Sequence, residues 1–138
     1  MSTGTAESPD SATRAVVDAS VVVRALVNRE PRAEEWLEGM VSWPTLVYVE
    51  VGHTVLRLHR AHLVSRDHAN DVLTALHSKA ADSHPVETLI RVAWETALTR
   101  SLSVYDACYV VLAEALGAPL VTADRRLAEA TPNAVLLT

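Results

Sequence analysis

Short runs of small and β-branched residues recur along the chain, and they limit the folds that it can adopt. Continuous apolar runs of this kind, without the alternation of a half-exposed strand, are typical of strands buried on both faces of a parallel sheet. Longer segments with helical spacing separate them, as the right-handed crossovers of a parallel sheet require. The predicted strands span residues 15–19, 119–123 and 134–137, with a further short strand at residues 86–88.

Helices are predicted for most of the remaining chain. Ser65 is a candidate N-cap, and Gly117 is a candidate helix end. Trp43-Pro44 and residues 83–85 are predicted breaks. The sequence therefore predicts an α/β fold with a central, mostly parallel sheet. The predicted helices span residues 20–28, 30–40, 45–62, 65–79, 89–100 and 103–116.

The length of 138 residues suits one domain with a single core. Cys108 is the only cysteine, so no intrachain disulfide can form, and a reducing compartment is expected. The first residues lack the features of a signal peptide, and no apolar stretch is long enough to span a bilayer. We therefore predict a cytoplasmic protein without membrane contact, with a disordered tail over residues 1–13 and one domain over residues 14–138.

Four acidic residues interrupt apolar sequence instead of lying among other polar residues. An isolated buried carboxylate costs roughly several kcal/mol unless it is paired, protonated or bound to a metal. The first acid lies in AVVDASVVV, the second in PTLVYVEVGHTVL and the third in SLSVYDACYVVLA, while the fourth closes APLVTAD. These residues are Asp18, Glu50, Asp106 and Asp124.

The predicted elements bring these acids to one edge of the sheet. Asp18 and Asp124 lie at or near the carboxyl ends of predicted strands, and Asp106 lies in the first turn of a predicted helix. Ligands of open α/β sheets bind at this edge. Glu50 lies about a turn and a half into its predicted helix, so its side chain can lean back toward the same edge.

Each acid also has a purely structural explanation, and the sequence leaves these explanations open. Asp18 can cap the helix that follows it, and Asp106 can form a capping box with Ser103. Asp124 can begin a turn or pair with an adjacent arginine. Glu50 has the weakest alternative, because a mid-helix acid in apolar surroundings needs a buried partner. A single cluster would explain all four acids by one cause.

Four clustered carboxylates cannot all stay ionised without a counter-charge, so one or more of their pKa values should rise. A divalent cation supplies that charge, and an all-oxygen ligand set favours Mg²⁺, or Mn²⁺ as a substitute, over zinc. Such a site can lower the pKa of a bound water and hold the oxygens of a phosphate. The residues therefore indicate metal-dependent hydrolysis of phosphodiester or phosphate ester bonds.

The basic residues are almost all arginine, eleven of twelve, and the formal net charge is −5. The overall charge therefore does not attract nucleic acid, although the planar arginine fork suits phosphate. Two arginine clusters are either solvated helix ends or candidate contacts to RNA phosphates. The six histidines show no convincing metal spacing, and we interpret the few aromatic residues as core or dimer contacts. The arginine clusters are Arg57-Leu58-His59-Arg60-Ala61-His62 with Arg66, and Arg125-Arg126. The candidate phosphate contacts among them are Arg57, Arg60, Arg125 and Arg126.

The chain resembles the PIN domain, and more narrowly the VapC-type ribonuclease toxins of type II toxin–antitoxin systems. The resemblance lies in VVDASVVV, PTLVYVEVGHTV, SVYDACYVVLAEALGAPLVTADRRL and the closing AVLL. It extends from about Ala15 to the C-terminus, and the ordered set is more specific than any one motif. The most specific part is Tyr105-Asp106-Ala107 followed by Leu120-Val121-Thr122-Ala123-Asp124.

The resemblance implies a three-layer α/β/α sandwich and an Mg²⁺- or Mn²⁺-dependent endoribonuclease that cuts structured RNA such as transfer or ribosomal RNA. Thr122 matches the family's hydroxyl residue before the last acid, and Ser20 occupies a small polar position after the first. The resemblance also implies a homodimer and a cognate antitoxin protein that inserts an arginine among the carboxylates. The catalytic and metal-binding acids of the family match Asp18, Glu50, Asp106 and Asp124.

Three other functions stay open at the level of sequence. One is a non-catalytic PIN-like module that binds RNA or protein. Another is a phosphoacceptor signalling domain, which needs adjacent acids after the first strand and a lysine near the last strands. Here Asp18 stands alone, and Lys79, the only lysine, lies in a predicted helix. The third is a structure-specific DNA nuclease, whose duplex-gripping helices have little room in this chain.

Overall fold

The computed structural model describes residues 14–138, and the predicted tail over residues 1–13 lies outside them. None of the helices in this part of the chain has the length and apolar character needed to cross a membrane. A short 3₁₀ turn, Val86–Thr88, precedes the fifth helix. The strands are β1 (Arg14–Val17), β2 (Met40–Pro44), β3 (Asp82–His84), β4 (Leu120–Thr122) and β5 (Ala134–Leu136). The α-helices are α1 (Ala19–Leu26), α2 (Pro31–Glu38), α3 (Leu46–Arg60), α4 (Arg66–Ser78), α5 (Ile90–Arg100), α6 (Val104–Leu116) and α7 (Arg125–Glu129).

The five strands form one parallel sheet in the order β3-β2-β1-β4-β5. Val16 of β1 pairs with Ser42 on one side and Leu120 on the other, so β1 is the central strand. The chain moves from β1 through β2 to β3, then crosses back to β4 and β5. Because right-handed crossovers in opposite directions use opposite faces, α1 to α4 cover one face and α5 to α7 cover the other. The predicted α/β/α sandwich is confirmed.

The core lies on both faces of β1. Ala15, Val16 and Val17 are at most 2% exposed, which is why this strand is continuously apolar. Helix α6 contacts β1, β2 and β4, and all its residues from Ala107 to Ala113 are buried. Since α6 leads into the amino end of β4, its own first turn lies at the carboxyl edge of the sheet. This direction places Asp106 at the edge that the sequence predicts.

Local capping follows the sequence closely. The backbone N–H of His68 donates to the Ser65 hydroxyl at 3.0 Å, so Ser65 caps α4 as predicted. Gly117 ends α6 with a φ of 62°, a left-handed conformation that glycine adopts without a steric cost. The predicted ends of both helices are therefore confirmed.

The predicted helix over residues 30–40 is wrong at its C-terminal end. Helix α2 stops at Glu38, Gly39 has extended backbone, and Met40 begins strand β2. Trp43-Pro44 closes that strand instead of forming a break. Proline is tolerated there because the pairing of β2 with β1 ends at Ser42, so that Pro44 lies on an unpaired edge on that side.

The predicted strand over residues 86–88 is also wrong, because these residues form the 3₁₀ turn. The strand comes just before them, at β3, where Asp82 and Ser83 are exposed. Since β3 pairs only with β2, its outer edge faces solvent, and polar residues are favourable there. Because β3 contains no apolar residue, it lacks the apolar run that predicts β1 and β4. Helix α7 was not predicted, since it has only five residues.

Candidate active site

Two of the predicted acids flank the point where the strand order reverses. Strands β1 and β4 are neighbours, but the chain leaves them toward opposite faces, and such a switch point opens a crevice at the carboxyl edge. Asp18 directly follows β1, and Asp124 lies two residues beyond the end of β4. The Thr122 hydroxyl donates to Oδ2 of Asp18 at 2.5 Å, which joins the two strand ends.

Asp18 is a buried carboxylate, 6% exposed, that accepts three hydrogen bonds. It caps α1 by accepting the backbone N–H of Val21 at 3.3 Å, and its Oδ1 also accepts from the Ser20 hydroxyl. Burial raises the pKa of Asp18 to about 6, although these hydrogen bonds oppose the rise, and the charge of Asp106 adds to it. Asp18 does cap its helix, but capping alone does not require a buried carboxylate.

Ser20 and Thr122 hold the two strand ends in register. The Ser20 hydroxyl donates to Asp18 and accepts the backbone N–H of Ala123 at 2.9 Å. The Thr122 hydroxyl donates to Asp18 and accepts the backbone N–H of Asp124 at 3.0 Å. Each hydroxyl therefore uses both its donor and its acceptor capacity. The two residues orient Asp18 and position the loop that carries Asp124.

Glu50 faces the same crevice from α3 and has a partner that the sequence did not reveal. The Tyr109 hydroxyl of α6 donates to Oε1 of Glu50 at 2.6 Å. Burial raises the pKa of Glu50, and the charges of Asp18 and Asp106 raise it further, while the Tyr109 hydrogen bond lowers it. Tyr109 lies three residues after Asp106, on the same face of a helix. This spacing is the one feature of the sequence that could have identified Tyr109 as a residue of the site.

Asp106 and Asp124 complete the group of acids. Burial raises the pKa of Asp106, and the charge of Asp124 adds to this effect, while the Ser103 hydrogen bond and the charge of Arg126 oppose it. Ser103 accepts the backbone N–H of Asp106 at 3.0 Å, so the predicted cap is present. Asp124 is exposed and caps α7 by accepting the backbone N–H groups of Arg126 and Leu127. Asp106 is thus close enough to each of the other three acids for a charge on one to affect the pKa of the other.

The oxygens of these acids suit a hard cation that keeps part of its water shell. Within residues 14–138, no three Asp, Glu, His or Cys side chains come close enough to form a ready-made metal site. Mg²⁺ is usually held by only one or two carboxylates, with water and substrate phosphates as its other ligands. In the same part of the chain, Oδ2 of Asp124 accepts no hydrogen bond. The residues therefore fit a hydrated Mg²⁺ or Mn²⁺.

The predicted arginines fall in two places. Arg125 and Arg126 are exposed in the first turn of α7, directly after Asp124, and Arg126 is close enough to counter the rise in the pKa of Asp106. Arg57 and Arg60 are exposed near the C-terminal end of α3. At a rise of 1.5 Å per residue they lie about 10 to 15 Å beyond Glu50 along the helix. The structure therefore places Arg125 and Arg126 beside the acids, and it places Arg57 and Arg60 away from them.

Comparison with known proteins gives the family. The model of the PIN domain matches residues 15–131. The chain belongs to the PIN-domain family. Ribonuclease VapC3 of Pyrobaculum aerophilum is 35% identical over 126 residues, which cover 87% of this chain and 96% of the relative. Ribonuclease VapC1 of Mycobacterium tuberculosis is 37% identical over 121 residues, or 83% of this chain and 89% of the relative. The predicted resemblance to VapC-type ribonucleases is confirmed.

Solved structures agree with the PIN-domain assignment. The crystal structure of PAE2754 from Pyrobaculum aerophilum matches with a TM-score of 0.72 at 26% identity, over 94% of this chain and 86% of that one. VapBC2 from Rickettsia felis, solved with a DNA fragment from its promoter, matches with a TM-score of 0.64 over 90% of this chain and 97% of that one. At 15% identity the second match shows the fold alone.

Proposed function

We propose that this PIN-domain protein is a VapC-type toxin, an endoribonuclease that hydrolyses phosphodiester bonds of RNA. The observation that carries the proposal is the buried Asp18 at the switch point, with Glu50 and Asp106 beside it. Burial raises the pKa values of all three acids, and the charges of neighbouring acids add to the rise. Acids with perturbed pKa values in a crevice are typical of catalytic sites. Relatives named ribonuclease VapC, of which this chain covers about nine-tenths, support RNA as the substrate.

The proposed cofactor is Mg²⁺, with Mn²⁺ as a substitute. When bound, the cation lowers the pKa of a water and stabilises the negative charge that develops on the phosphate. Asp18 contributes a carboxylate whose orientation Ser20 and Thr122 hold in place. Asp106 contributes its carboxylate, and Asp124 contributes Oδ2, which accepts no hydrogen bond within the described residues. The groups proposed to hold the cation are Asp18, Glu50, Asp106 and Asp124.

Glu50 is the proposed proton acceptor. Its Oε1 is occupied by the Tyr109 hydroxyl, which leaves Oε2 to accept a proton from the attacking water. Tyr109 is a positioning residue, because its ring is buried in α6 and its hydroxyl determines where Oε1 lies.

Tyr109→Phe is expected to reduce the cleavage rate by about ten- to a hundredfold, because Glu50 loses the donor that positions it. The free energy of unfolding should change by only about 1 kcal/mol, the usual worth of one hydrogen bond. Single-turnover cleavage and thermal unfolding measure the two effects. Tyr48→Phe is the matched control, since the partners of its hydroxyl among the described residues are Ser83 and Trp43 and none of the four acids. If Tyr109→Phe and Tyr48→Phe cut RNA at equal rates, Tyr109 does not position Glu50.

The proposed partners are RNA of the transfer or ribosomal class, a cognate antitoxin protein and a second copy of this chain. The acidic crevice suits an antitoxin arginine, whose planar fork pairs with a carboxylate. Helix α5 supports a homodimer, because it exposes an apolar stripe that can pair with its own copy about a two-fold axis. The cytoplasm is the proposed location. The stripe consists of Ile90, Trp94 and Leu98.

The signalling-domain alternative lacks the lysine that it needs. Lys79 follows α4, which leads into the amino end of β3, so this lysine lies at the edge of the sheet away from the acids. It lines a separate cavity with Leu37 and Glu38. No other lysine is present in the sequence.

The test of the proposed function is cleavage of total cellular RNA by the purified protein. With Mg²⁺ or Mn²⁺ we expect discrete fragments, and with EDTA we expect intact RNA. Mapping the fragment ends identifies the RNA and the bond. Intact RNA in the presence of demonstrated Mn²⁺ binding would contradict the nuclease and favour the non-catalytic binding module.

A further inference from the structure

A cavity of about 450 Å³ opens beside the acids, between α1, α3 and the loop after β4. Ser20 and Asp124 form the wall nearest the acids, and Thr54 contributes from α3. Ser20 donates a hydrogen bond to Asp18, and Thr54 lies one helical turn after Glu50. The cavity is therefore continuous with the crevice that holds the carboxylates. Its volume lies within the range of sites that bind small organic molecules.

The far side of the cavity carries a cation and an amide. Arg24 lies on α1, and Asn28 follows the end of the same helix, two turns after Ser20. The contacts of the Arg24 guanidinium are long, 3.6 Å to Glu30 and 3.5 Å to the carbonyl oxygen of Leu137. Its side chain is one-third exposed. Arg24 is thus held in place near the cavity, while much of its hydrogen-bonding capacity remains available to an anion.

Carboxylates at one end and a guanidinium at the other suit a chain of phosphodiesters. The phosphate that is cut lies at the acids, where it requires a cation, and the neighbouring phosphate needs a positive partner of its own. A guanidinium binds phosphate through two parallel hydrogen bonds. Single-stranded RNA also exposes the edges of its bases, and Asn28 and Thr54 offer donors and acceptors for them.

We propose that this cavity is a nucleotide subsite, which receives the nucleotide next to the scissile phosphate. Arg24 binds the phosphate of that nucleotide, and Asn28 and Thr54 contact its base. The subsite rests on the proposed ribonuclease function for its substrate. Arg24 differs from the predicted phosphate contacts Arg125 and Arg126, which are exposed at the first turn of α7 and do not line the cavity.

The test measures RNA binding without cleavage. The Asp18→Asn protein, in EDTA, is titrated with a fluorescent twelve-nucleotide single-stranded RNA of mixed sequence, at several salt concentrations. Adding Arg24→Gln should weaken binding about tenfold and reduce the slope of log K against log salt by about 0.7, the loss of one phosphate contact on a single strand. Adding Asn28→Ala should weaken binding without changing the slope, because the amide carries no charge. Arg24→Lys should restore the slope, since lysine binds phosphate as a point charge.

Arg91→Gln is the matched control, because Arg91 is exposed on α5, across the sheet from the cavity. It should bind the RNA with an unchanged slope. Thermal unfolding of each variant establishes that it is folded. An unchanged affinity and slope for Arg24→Gln would overturn the subsite, whatever the cleavage results. Failure of the wild-type protein to cut any RNA, with these binding effects present, would overturn the nuclease and leave the subsite as an RNA-binding site.

Discussion

Asp18→Asn is expected to abolish RNA cleavage and, at the same time, to make the apo protein more stable at neutral pH. The loss of activity should be at least about a hundredfold, the usual effect of removing one preorganised electrostatic group from an active site. The gain in stability follows from burial. Asparagine resembles the protonated carboxyl in shape and hydrogen bonding, but it carries no charge that must be removed from water.

The sign and size of the stability effect follow from the pKa of Asp18. Burial raises that pKa from 3.8 to about 6 in the folded protein. The folded state therefore binds the proton more tightly than the unfolded state, and the stability present below pH 3.8 is lost as the pH rises through 6. Above that pH, ionisation of Asp18 costs the folded protein about 3 kcal/mol. Asp18→Asn should avoid this cost, which corresponds to a rise in Tm of roughly 10 °C.

Thermal unfolding in EDTA at pH 4 and pH 7.5 measures this effect. The difference in Tm between variant and wild type should be large at pH 7.5 and small at pH 4, where Asp18 is protonated in the wild type as well. Asp71→Asn is the control, since Asp71 is exposed on α4 and its substitution should leave Tm nearly unchanged. A variant that is less stable than the wild type at pH 7.5 would show that the hydrogen bonds of the carboxylate outweigh its burial.

The sheet edge and its four acids could be predicted because each depends on a local pattern. An apolar run predicts both β1 and β4. The positions of the acids at the ends of these strands follow from the sequence alone, without information on packing. Strand β3 could not be predicted, because an edge strand has one paired side and tolerates polar residues such as Asp82 and Ser83. Helix α7 could not be predicted either, because five residues do not show a helical period.

Tyr109 and Arg24 required tertiary structure, although both lie on predicted helices. Tyr109 lies within a run of apolar residues, and only the tertiary structure shows that its hydroxyl meets Glu50 at the edge of the sheet. Arg24 lies among apolar residues and outside the two arginine clusters. The sequence therefore predicted those clusters, and not Arg24, as the phosphate contacts. Its importance comes from the cavity between α1, α3 and the loop after β4, which no single segment encodes.

Addition of millimolar Mn²⁺ is expected to raise the Tm of the wild-type protein by roughly 10 °C, because a ligand that binds only the folded state stabilises it by about 3 kcal/mol at a hundred times its Kd. Mn²⁺ supplies the counter-charge that the ionised acids lack, and it therefore relieves the same cost that Asp18→Asn removes. The two changes should not add. The Asp18→Asn protein lacks that charge and has lost one metal ligand. Its Tm should therefore rise much less on addition of Mn²⁺.

The response to Mn²⁺ should also depend on pH, in the opposite direction to apo stability. Metal ligands must be deprotonated, so protons compete with Mn²⁺ for the acids. Because the pKa values of Asp18, Glu50 and Asp106 are all raised, the rise in Tm should be larger at pH 7.5 than at pH 5. Differential scanning fluorimetry with and without Mn²⁺ measures this, and Asp71→Asn should respond like the wild type. A rise in Tm that is equal for wild type and Asp18→Asn would place the metal elsewhere, and no rise at all would remove the cation from the proposed mechanism.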